Sequence, residues 1–277
     1  MKRLVLALAT AVLAAGTLPS QSASAPDLLA VAQKKAAIIE LLHQKASKAL
    51  VTVAQDPAFS TYFKSDDHGH RHAVKSRIEA ITLEVQSKFH VAEMCLIGLD
   101  GVEITRIVGR KIADDLSTEE ASAIFFAPGF ETPHRQVHIS PIYVSPDVHK
   151  LVVAYVTPIM TEQGKKAILH YEHDLASFRQ ALLQGGDLDG LVMLVTRDDG
   201  RIIFDSRKTI DYSSPDGEAD PHLESIVQDG GTMKGLIDRL GGNAGGTGEI
   251  MFDGARHPVA QTKAGRWTVF LLPENGL

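Results

Sequence analysis

The same hairpin pattern occurs once in each half of this chain, and it restricts the fold more than any other feature of the sequence. In both copies a run of β-type apolar residues is followed by Asp-Gly and then by a second such run. Asp-Gly in this position favours a tight hairpin turn. We therefore expect two tandem α+β units, each built on an antiparallel sheet. The copies comprise Val91–Leu99, Asp100-Gly101 and Val102–Val108, and then Leu191–Thr196, Asp199-Gly200 and Arg201–Asp205.

A long amphipathic helix precedes the first unit. From Asp27 to Phe63, apolar residues recur every three to four positions, with mainly charged residues between them. Asp27 can cap the start of the helix, and Asp56-Pro57 predicts a kink or the beginning of a second short helix. A polar break over Ser65–His72 separates this region from a further helix over Ala73–Phe89. A long helix with one apolar stripe packs along its own domains or along a partner helix.

The rest of the chain alternates between strands and shorter helices. Leu116–Glu120 predicts a helix start, with Ser117 as its cap and Glu120 completing a capping box. Another helix is predicted over Asp174–Leu183, and Gly185-Gly186 after it marks a domain boundary. The remaining predicted helices are His222–Gln228 and Met233–Leu240, and the remaining predicted strands are Val137–Val144, Leu151–Pro158, Lys166–Tyr171, Gly248–Phe252, His257–Thr262 and Arg266–Leu272.

The N-terminus has the three parts of a secretory signal peptide. Lys2 and Arg3 precede the apolar run Leu4–Gly16, and small polar residues follow as far as Ala25. The apolar run is shorter than the roughly 20 residues that a membrane-spanning helix needs. We expect residues 1–25 to be removed, leaving a soluble periplasmic protein without a membrane span. The alternative is an uncleaved anchor.

The charge of the chain argues against two classes of partner. The net charge is −6, and removal of Lys2 and Arg3 with the signal peptide makes it more negative by two. An acidic protein gains no electrostatic attraction from nucleic acid or from anionic lipid. We therefore expect neither to be a partner.

Sequence motifs of catalysis are absent. The sequence has no GxSxG, HExxH or CxxC, and the glycine-rich segment Gly241–Gly248 lacks the Lys-Ser/Thr of a phosphate-binding loop. We interpret that segment as a connector. The single cysteine, Cys95, excludes an intrachain disulfide and is expected to be an inert core residue. We expect a protein that is not an enzyme, with no catalytic residue and no cofactor.

The order of the elements and four stretches of the sequence resemble a known family. The stretches are Asp56–Phe63, Leu99–Arg106, His138–Ser145 and Val195–Phe204. The chain resembles the double Cache domains, the PAS-like extracytoplasmic sensor regions found ahead of diguanylate cyclases and histidine kinases. The resemblance implies a long N-terminal helix with a membrane-distal-type Cache domain over residues 26–185 and a smaller Cache domain over residues 186–277. Receptors of this family continue into a second membrane helix and an output domain, whereas this sequence ends at Leu277. We therefore expect it to act through a partner, such as a membrane receptor or a kinase.

The resemblance places a ligand pocket over the sheet of the first domain. Arginine together with hydroxyl groups suits a carboxylate ligand. The alternative is that Tyr143 and Tyr155 are core aromatics and that Arg106 makes a surface ion pair. The aromatic–Arg–Trp–Tyr–Asp pattern of amino-acid-binding members is not evident, because the only tryptophan, Trp267, falls in the last strand. The candidate ligand-binding residues are Arg106, Arg135, His138, Ser140, Tyr143, Tyr155, Tyr171 and Glu172.

Histidines form a second candidate site. His68, His70 and His72 lie close together, next to Asp66 and Asp67. Imidazole and carboxylate are ligands for zinc, copper or nickel. The alternative is a solvated loop between two helices, because exposed histidine runs bind metal weakly without supporting groups. His170 and His173, on either side of Glu172, are a weaker candidate pair.

These observations leave three hypotheses for the function. The first is a periplasmic small-molecule sensor of double Cache type that takes part in signal transduction through a partner. The second is a metal-binding envelope protein that uses His68, His70 and His72. The third is an interaction subunit without a ligand pocket, which an apolar and closed first domain would favour.

Overall fold

The computed structural model describes residues 27–88, 91–210, 212–213, 223–226 and 231–274. The predicted signal peptide lies outside these ranges, as does most of the segment between residues 211 and 230. The described part of the chain is a mixed α+β structure with a long N-terminal helix followed by two antiparallel sheets. The predicted fold class is therefore confirmed.

The N-terminal region forms three helices. Helix α1 spans Leu28–Ala54, α2 spans Pro57–Tyr62 and α3 spans His68–Lys88. Asp27 caps α1 by accepting hydrogen bonds from the backbone N–H groups of residues 29 and 30. Asp56 caps α2, which begins at Pro57 as the sequence predicts. Helix α3 begins five residues earlier than Ala73 because the Asp67 carboxylate accepts the His70 N–H at 2.7 Å.

The first sheet has six strands in the order β3-β2-β1-β6-β5-β4. Strand β1 pairs antiparallel with β2 and with β6, so the predicted hairpin at Asp100-Gly101 is confirmed. Gly101 has a φ of 78°, the left-handed conformation that this turn requires. The strands are β1 Val91–Gly98, β2 Glu103–Val108, β3 Lys111–Ile112, β4 His138–Ser145, β5 Lys150–Thr161 and β6 Gly164–Asp174.

The second sheet repeats this arrangement on a smaller scale. Its strand order, β8-β7-β11-β10-β9, matches the order β2-β1-β6-β5-β4 of the first sheet. Helix α5, Leu175–Leu183, is capped by Asp174 and connects the two sheets, and α6, Met233–Arg239, precedes β9. The strands are β7 Leu191–Thr196, β8 Ile202–Asp205, β9 Gly246–Phe252, β10 Ala255–Ala264 and β11 Trp267–Pro273. The division at residues 185 and 186 remains a prediction.

Helix α1 connects the two sheets. It packs against β10 and β11 of the second sheet and against β5 and β6 of the first. One apolar cluster includes buried residues of α1, of both sheets and of α5. A buried lysine, Lys35, adds polar contacts: its ammonium donates to the carbonyl oxygens of Leu182 and Gln184 and pairs with Asp187 at 2.6 Å. The apolar stripe of the long helix therefore packs along this chain's own sheets.

Two predicted helices are wrong, and one helix was missed. Residues 117–119 do not begin an α-helix; the Ser117 hydroxyl caps a bend, and only a 3-10 turn follows at Glu120–Ser122. The described part of His222–Gln228, residues 223–226, is extended and bonds to residues 200 and 202. Helix α4, Phe126–Glu131, was missed because it contains Pro128 and Gly129. Within the described ranges, no helix has both the length and the apolar character that crossing a bilayer requires.

Candidate functional site

A cavity of about 450 Å³ lies over one face of the first sheet. Strands β1, β4 and β6 contribute its sheet wall, and the segment from Ser117 to Phe125 covers it. Glu103 holds this covering segment in place, because its carboxylate accepts the Ser117 N–H at 2.7 Å. The opposite face of the sheet packs against α1. The cavity is therefore on the face that the long helix leaves open.

The strand register aligns four functional side chains on the cavity face. Cys95 of β1 lies opposite His170 of β6, and Glu93 lies opposite Glu172. Residues two apart on a strand share a face, so all four side chains project to the same side. Each of these residues is almost fully buried. We call these four side chains the floor of the cavity: Glu93, His170 and Glu172 line it, and the Cys95 thiol is buried against Glu93 on the same face of the sheet.

Short contacts connect these groups. The Cys95 Sγ donates to Glu93 Oε1 at 2.8 Å, and the Tyr143 hydroxyl of β4 donates to the Glu172 carboxylate. The same hydroxyl lies 3.2 Å from His170 Nε2. The ring of Phe125 stacks on the His170 imidazole, with 3.9 Å between the ring centroids. Tyr143 and Phe125 thus restrict the orientation of the imidazole.

The electrostatic environment of the floor is acidic and poorly solvated. Burial raises the pKa of both Glu93 and Glu172 above the usual range. Repulsion from Glu172 raises the pKa of Glu93 further, whereas the hydrogen bond from Tyr143 offsets part of the increase for Glu172. Burial lowers the pKa of His170 to about 3, so its imidazole is neutral at physiological pH. Burial also raises the pKa of the Cys95 thiol. A cation in this cavity would favour the ionised forms of the carboxyl groups and of the thiol.

Carboxyl groups are the most numerous ionisable groups in the cavity lining. Glu93, Glu172, Glu119, Glu120 and Asp147 contribute five carboxyl groups. Among the described residues that line it, no lysine or arginine occurs. Field lines from several carboxylates around a poorly solvated cleft concentrate cations there. The described lining therefore offers carboxyl groups and no lysine or arginine that would pair with an anion.

Arg106 lies next to the cavity, but carboxylates surround its guanidinium. It donates to Asp115 at 2.6 Å and to Asp147, and it lies 3.6 Å from Glu103. Burial alone would lower the pKa of Arg106, but the hydrogen bond with Asp115 and the charges of Glu103 and Asp147 outweigh that effect and raise it. The same hydrogen bond lowers the pKa of Asp115. The guanidinium is therefore engaged by protein carboxylates and poorly placed to bind a carboxylate ligand.

No protein-family model and no curated protein matches this sequence, but solved structures match its fold. The ligand-binding domain of the Campylobacter jejuni chemoreceptor Tlp3 in complex with L-norvaline is similar, with a TM-score of 0.67, 11% sequence identity and coverage of 89% of this chain and 88% of that chain. A domain of the sensory box/GGDEF family from Vibrio parahaemolyticus gives a TM-score of 0.65 at 12% identity, over 90% of this chain and 95% of that one.

The ligand-binding domain of the Pseudomonas aeruginosa PAO1 amino acid chemoreceptor PctB in complex with L-Gln is a third match. Its TM-score is 0.55 at 13% identity, with coverage of 89% of each chain. The Tlp3 and PctB structures are double Cache domains, and each match covers 89% of this chain. The chain has the double Cache fold. This confirms the resemblance that the sequence stretches indicated.

The structure brings only some of the predicted ligand-binding residues into the cavity. Tyr143 and Glu172 line it, and Arg106 lies beside it through Asp147. Tyr155 and Tyr171 are fully buried on the α1 side of the sheet, where Tyr155 bonds to His43 at 2.7 Å. The alternative interpretation of Tyr155 as a core aromatic therefore fits its position.

The remaining three predicted residues lie away from the cavity lining. The Ser140 hydroxyl is used within the sheet, where it accepts the Ala154 N–H at 2.9 Å and donates to the Pro141 carbonyl. Arg135 is exposed in a turn, with a φ of 62°. His138 is half-buried at the start of β4, and burial and the charge of Arg266 lower its pKa. The geometry does not bring these three side chains together as a pocket.

The three histidines of the second candidate site lie in the first turns of α3 rather than in a loop. His68 and His72 are one helical turn apart, whereas His70 points elsewhere and its Nε2 lies 3.3 Å from the Thr61 carbonyl oxygen. Among the residues that the structure describes, these three do not form a group of converging ligand atoms. Metal binding by His68, His70 and His72 remains a prediction.

Sequence reasoning missed Glu93, Phe125 and Asp147 as cavity residues and Cys95 as part of the floor, and it gave His170 little weight. Cys95 was expected to be an inert core residue, and it is buried, but its thiol contacts a carboxylate. The available signal was the i, i+2 spacing of Glu93 with Cys95 and of His170 with Glu172. That spacing identifies two polar pairs on strands, but only the register places the pairs next to each other.

Proposed function

We propose that this chain is a periplasmic ligand-binding sensor protein that takes a small, positively charged ligand in the acidic cavity and acts through a partner protein. The observation that carries the proposal is a cavity of about 450 Å³ floored by four converging, almost fully buried polar side chains. Volumes of roughly 300–1,000 Å³ are typical of small-molecule sites. The matching Tlp3 and PctB structures are ligand-binding domains, in complex with L-norvaline and L-Gln.

The charge of the cavity selects the ligand class. Five carboxyl groups line it, and the nearby Arg106 is already paired with Asp115 and Asp147. An anionic ligand would face repulsion from every ionised carboxylate in the lining. A cation would relieve the repulsion between the buried Glu93 and Glu172. This reasoning favours a cationic ligand over the carboxylate that the sequence suggested.

The side chains of β6 alternate between the two faces of the sheet, and this alternation provides a route from the cavity to α1. His170 and Glu172 face the cavity, whereas Tyr171 and His173 lie on the opposite face, toward α1. Tyr171 is paired in register with Tyr155 of β5, which in turn contacts His43 of α1. A shift of β6 on ligand binding would therefore change how α1 packs. We propose that a membrane receptor or a kinase reads this change through α1.

A thermal-shift screen tests the proposal. The purified protein is heated with amines, amino acids, polyamines and divalent metals, and with organic acids as the anionic comparison. A ligand at 100 times its Kd stabilises the native state by about 2.7 kcal/mol, which raises the melting temperature measurably. We expect shifts among the cations that disappear in Glu172→Gln. The matched control is Glu162→Gln, in the exposed turn between β5 and β6, which should keep them.

Hits confined to organic acids, or cationic hits that persist in Glu172→Gln, would contradict the proposal. The absence of any hit would favour an interaction subunit without a ligand. The polar convergence over the first sheet weighs against that alternative, because an apolar, closed domain was its expected signature.

A further inference from the structure

Three side chains on the cavity floor have the chemistry and spacing of metal ligands. One ligand atom each from Glu93, Cys95 and His170 can be chosen so that all lie within 4.8 Å of one another. Within the described residues, this is the group in which three such atoms converge. We propose that Glu93, Cys95 and His170 bind one Zn²⁺ ion, with Glu172 as a fourth ligand. This inference rests on the proposed function and names a metal ion as the cationic ligand.

The distances fit a tetrahedral site after small side-chain adjustments. With Zn–S near 2.3 Å and Zn–N or Zn–O near 2.0–2.2 Å, ligand atoms are separated by roughly 3.5 Å. The Cys95 Sγ lies 2.8 Å from Glu93 Oε1, and Glu172 Oε1 lies 3.7 Å from His170 Nε2. The backbone already places the pairs, because Cys95 is in register with His170 and Glu93 with Glu172. Rotation about side-chain bonds is therefore enough to form the site.

Buried atoms without hydrogen-bond partners give an independent indication of a ligand. Glu93 Oε2 and Glu172 Oε2 have no hydrogen-bond partner within the described structure. Both residues are only 2% exposed, and both line the cavity. Buried polar atoms are rarely left unsatisfied, so an interaction with a bound species accounts for them. Both atoms belong to groups that coordinate zinc.

The mixture of donors selects zinc over other cations. Calcium and magnesium prefer sites made of oxygen atoms alone, whereas a thiolate with an imidazole favours zinc and related transition metals. An organic amine would need the carboxylates but would make no use of the Cys95 thiol. The thiol is expected to lose its proton to solvent as the Zn–S bond forms.

Neighbouring groups would support the ligands. Phe125 stacks on the His170 ring, and the Tyr143 hydroxyl donates to Glu172. Contacts that orient metal ligands in this way commonly contribute a factor of roughly 10–100 in metal affinity. The covering segment from Ser117 to Phe125 limits the access of water to the floor. The site therefore has orienting contacts that the exposed histidines at the start of α3 lack.

The first experiment uses the metal itself as the probe. The purified protein is stripped of metal with a chelator and dialysed against ZnCl2, and bound zinc is measured by elemental analysis. A parallel titration uses Co²⁺, which gives a thiolate-to-cobalt charge-transfer band in the near ultraviolet when sulfur is a ligand. We expect one zinc per chain and this band in the wild-type protein. Because Cys95 is the only cysteine, the band reports on this site alone. Absence of the band in folded wild-type protein would overturn the proposal.

Variants then separate this site from the histidines of α3. Cys95→Ser and His170→Gln should each weaken zinc binding by more than about tenfold, since they remove ligands rather than supporting groups. The triple variant His68→Ala/His70→Ala/His72→Ala should keep the stoichiometry and the cobalt band. Circular dichroism verifies that each variant is folded. The reverse pattern, with binding lost only in the triple variant, would assign the metal to α3 and overturn the proposal.

The outcomes also distinguish this inference from the proposed function. If Zn²⁺ does not bind but amines shift the melting temperature in a Glu172-dependent manner, the metal assignment fails and the sensor proposal stands. If neither zinc nor any organic cation binds, both fail.

Discussion

Cys95 and His170 lie directly opposite each other on β1 and β6, and both side chains project from the same face of the sheet. Across an antiparallel pair, opposed residues have Cβ atoms about 4.5–5.5 Å apart, which is within reach of a shared small ligand. The next pair along the strands, Glu93 and Glu172, adds two carboxyl groups on the same face. The sheet register alone therefore creates a compact polar floor.

We predict that Lys35 contributes strongly to the stability of the protein through its contacts between α1 and the segment after α5. Its side chain is fully buried and pairs with Asp187 at 2.6 Å, in addition to its two carbonyl contacts. Breaking a buried ion pair by removing one partner costs about 3–5 kcal/mol. Because Asp187 is partly exposed, we expect Lys35→Met to lower the free energy of unfolding by an amount near the lower end of this range. Urea denaturation of the wild type and the variant measures the difference.

Lys34 provides the matched control, because it pairs with the same carboxylate at 2.9 Å but is 61% exposed. Exposed ion pairs contribute about 0–1 kcal/mol, so Lys34→Met should change the free energy of unfolding little. Equal effects of the two substitutions would show that the burial of Lys35 has no special role.

His43 is predicted to make the protein less stable at acid pH. Burial lowers its pKa from 6.5 to about 4, and its neighbours are the Tyr155 hydroxyl and the rings of Phe178 and Trp267. Between these two pH values the unfolded state binds a proton that the folded state excludes. The stabilisation that the neutral His43 gives the folded state is therefore complete above pH 6.5 and is lost as the pH falls to 4. At 1.36 kcal/mol per pH unit, the free energy of unfolding decreases by up to about 3 kcal/mol over this range.

Chemical denaturation at several pH values tests the role of His43. His43→Gln keeps a polar side chain but does not titrate, so its stability should decline less steeply between pH 6.5 and pH 4 than that of the wild type. His134→Gln, at an exposed position, should follow the wild type. Parallel curves for the wild type and His43→Gln would refute the prediction.

Tyr143 is predicted to contribute both to stability and to ligand affinity. Its hydroxyl donates to Glu172 and lies 3.2 Å from His170 Nε2. Removing the hydroxyl in Tyr143→Phe leaves a buried carboxyl group without that donor, at a cost of about 1–2 kcal/mol. The cation found in the thermal-shift screen should also bind more weakly. Tyr62→Phe is the control, since the described contacts of Tyr62 with Phe63 and Arg71 involve its ring.

Urea denaturation and titration calorimetry measure these two effects of Tyr143→Phe. A variant as stable as the wild type, with unchanged affinity for the cation, would show that the hydroxyl contributes to neither property.

Much of the fold could be predicted from the sequence because local signals coincide with tertiary packing. Asp27 caps α1 and Asp56-Pro57 begins α2, as the local sequence indicates. The Asp-Gly turns and apolar alternation also predicted the hairpins of both sheets. The capping-box pattern at Ser117 failed because the Glu103 carboxylate binds the Ser117 N–H, a contact with a distant part of the chain. Tertiary contacts there override a local preference.

The candidate site was only partly predictable for a related reason. Tyr143 and Glu172 were identified, but other residues that form the site with them come from β1 and from the covering segment. Tyr155 and Tyr171 were grouped with them, although strand alternation places both on the α1 face. Which residues of different strands lie side by side depends on the register, and no single stretch of sequence contains that information.

The most direct test of the central claim is to locate the bound ligand by hydrogen exchange with mass spectrometry. The protein is compared with and without a saturating amount of the cation that gives the largest thermal shift. We predict slower exchange in residues 117–125, because the ligand would pack beneath this covering segment, and in the flanking parts of β1 and β6. Slower exchange confined to the second sheet, with residues 117–125 unchanged, would contradict the account.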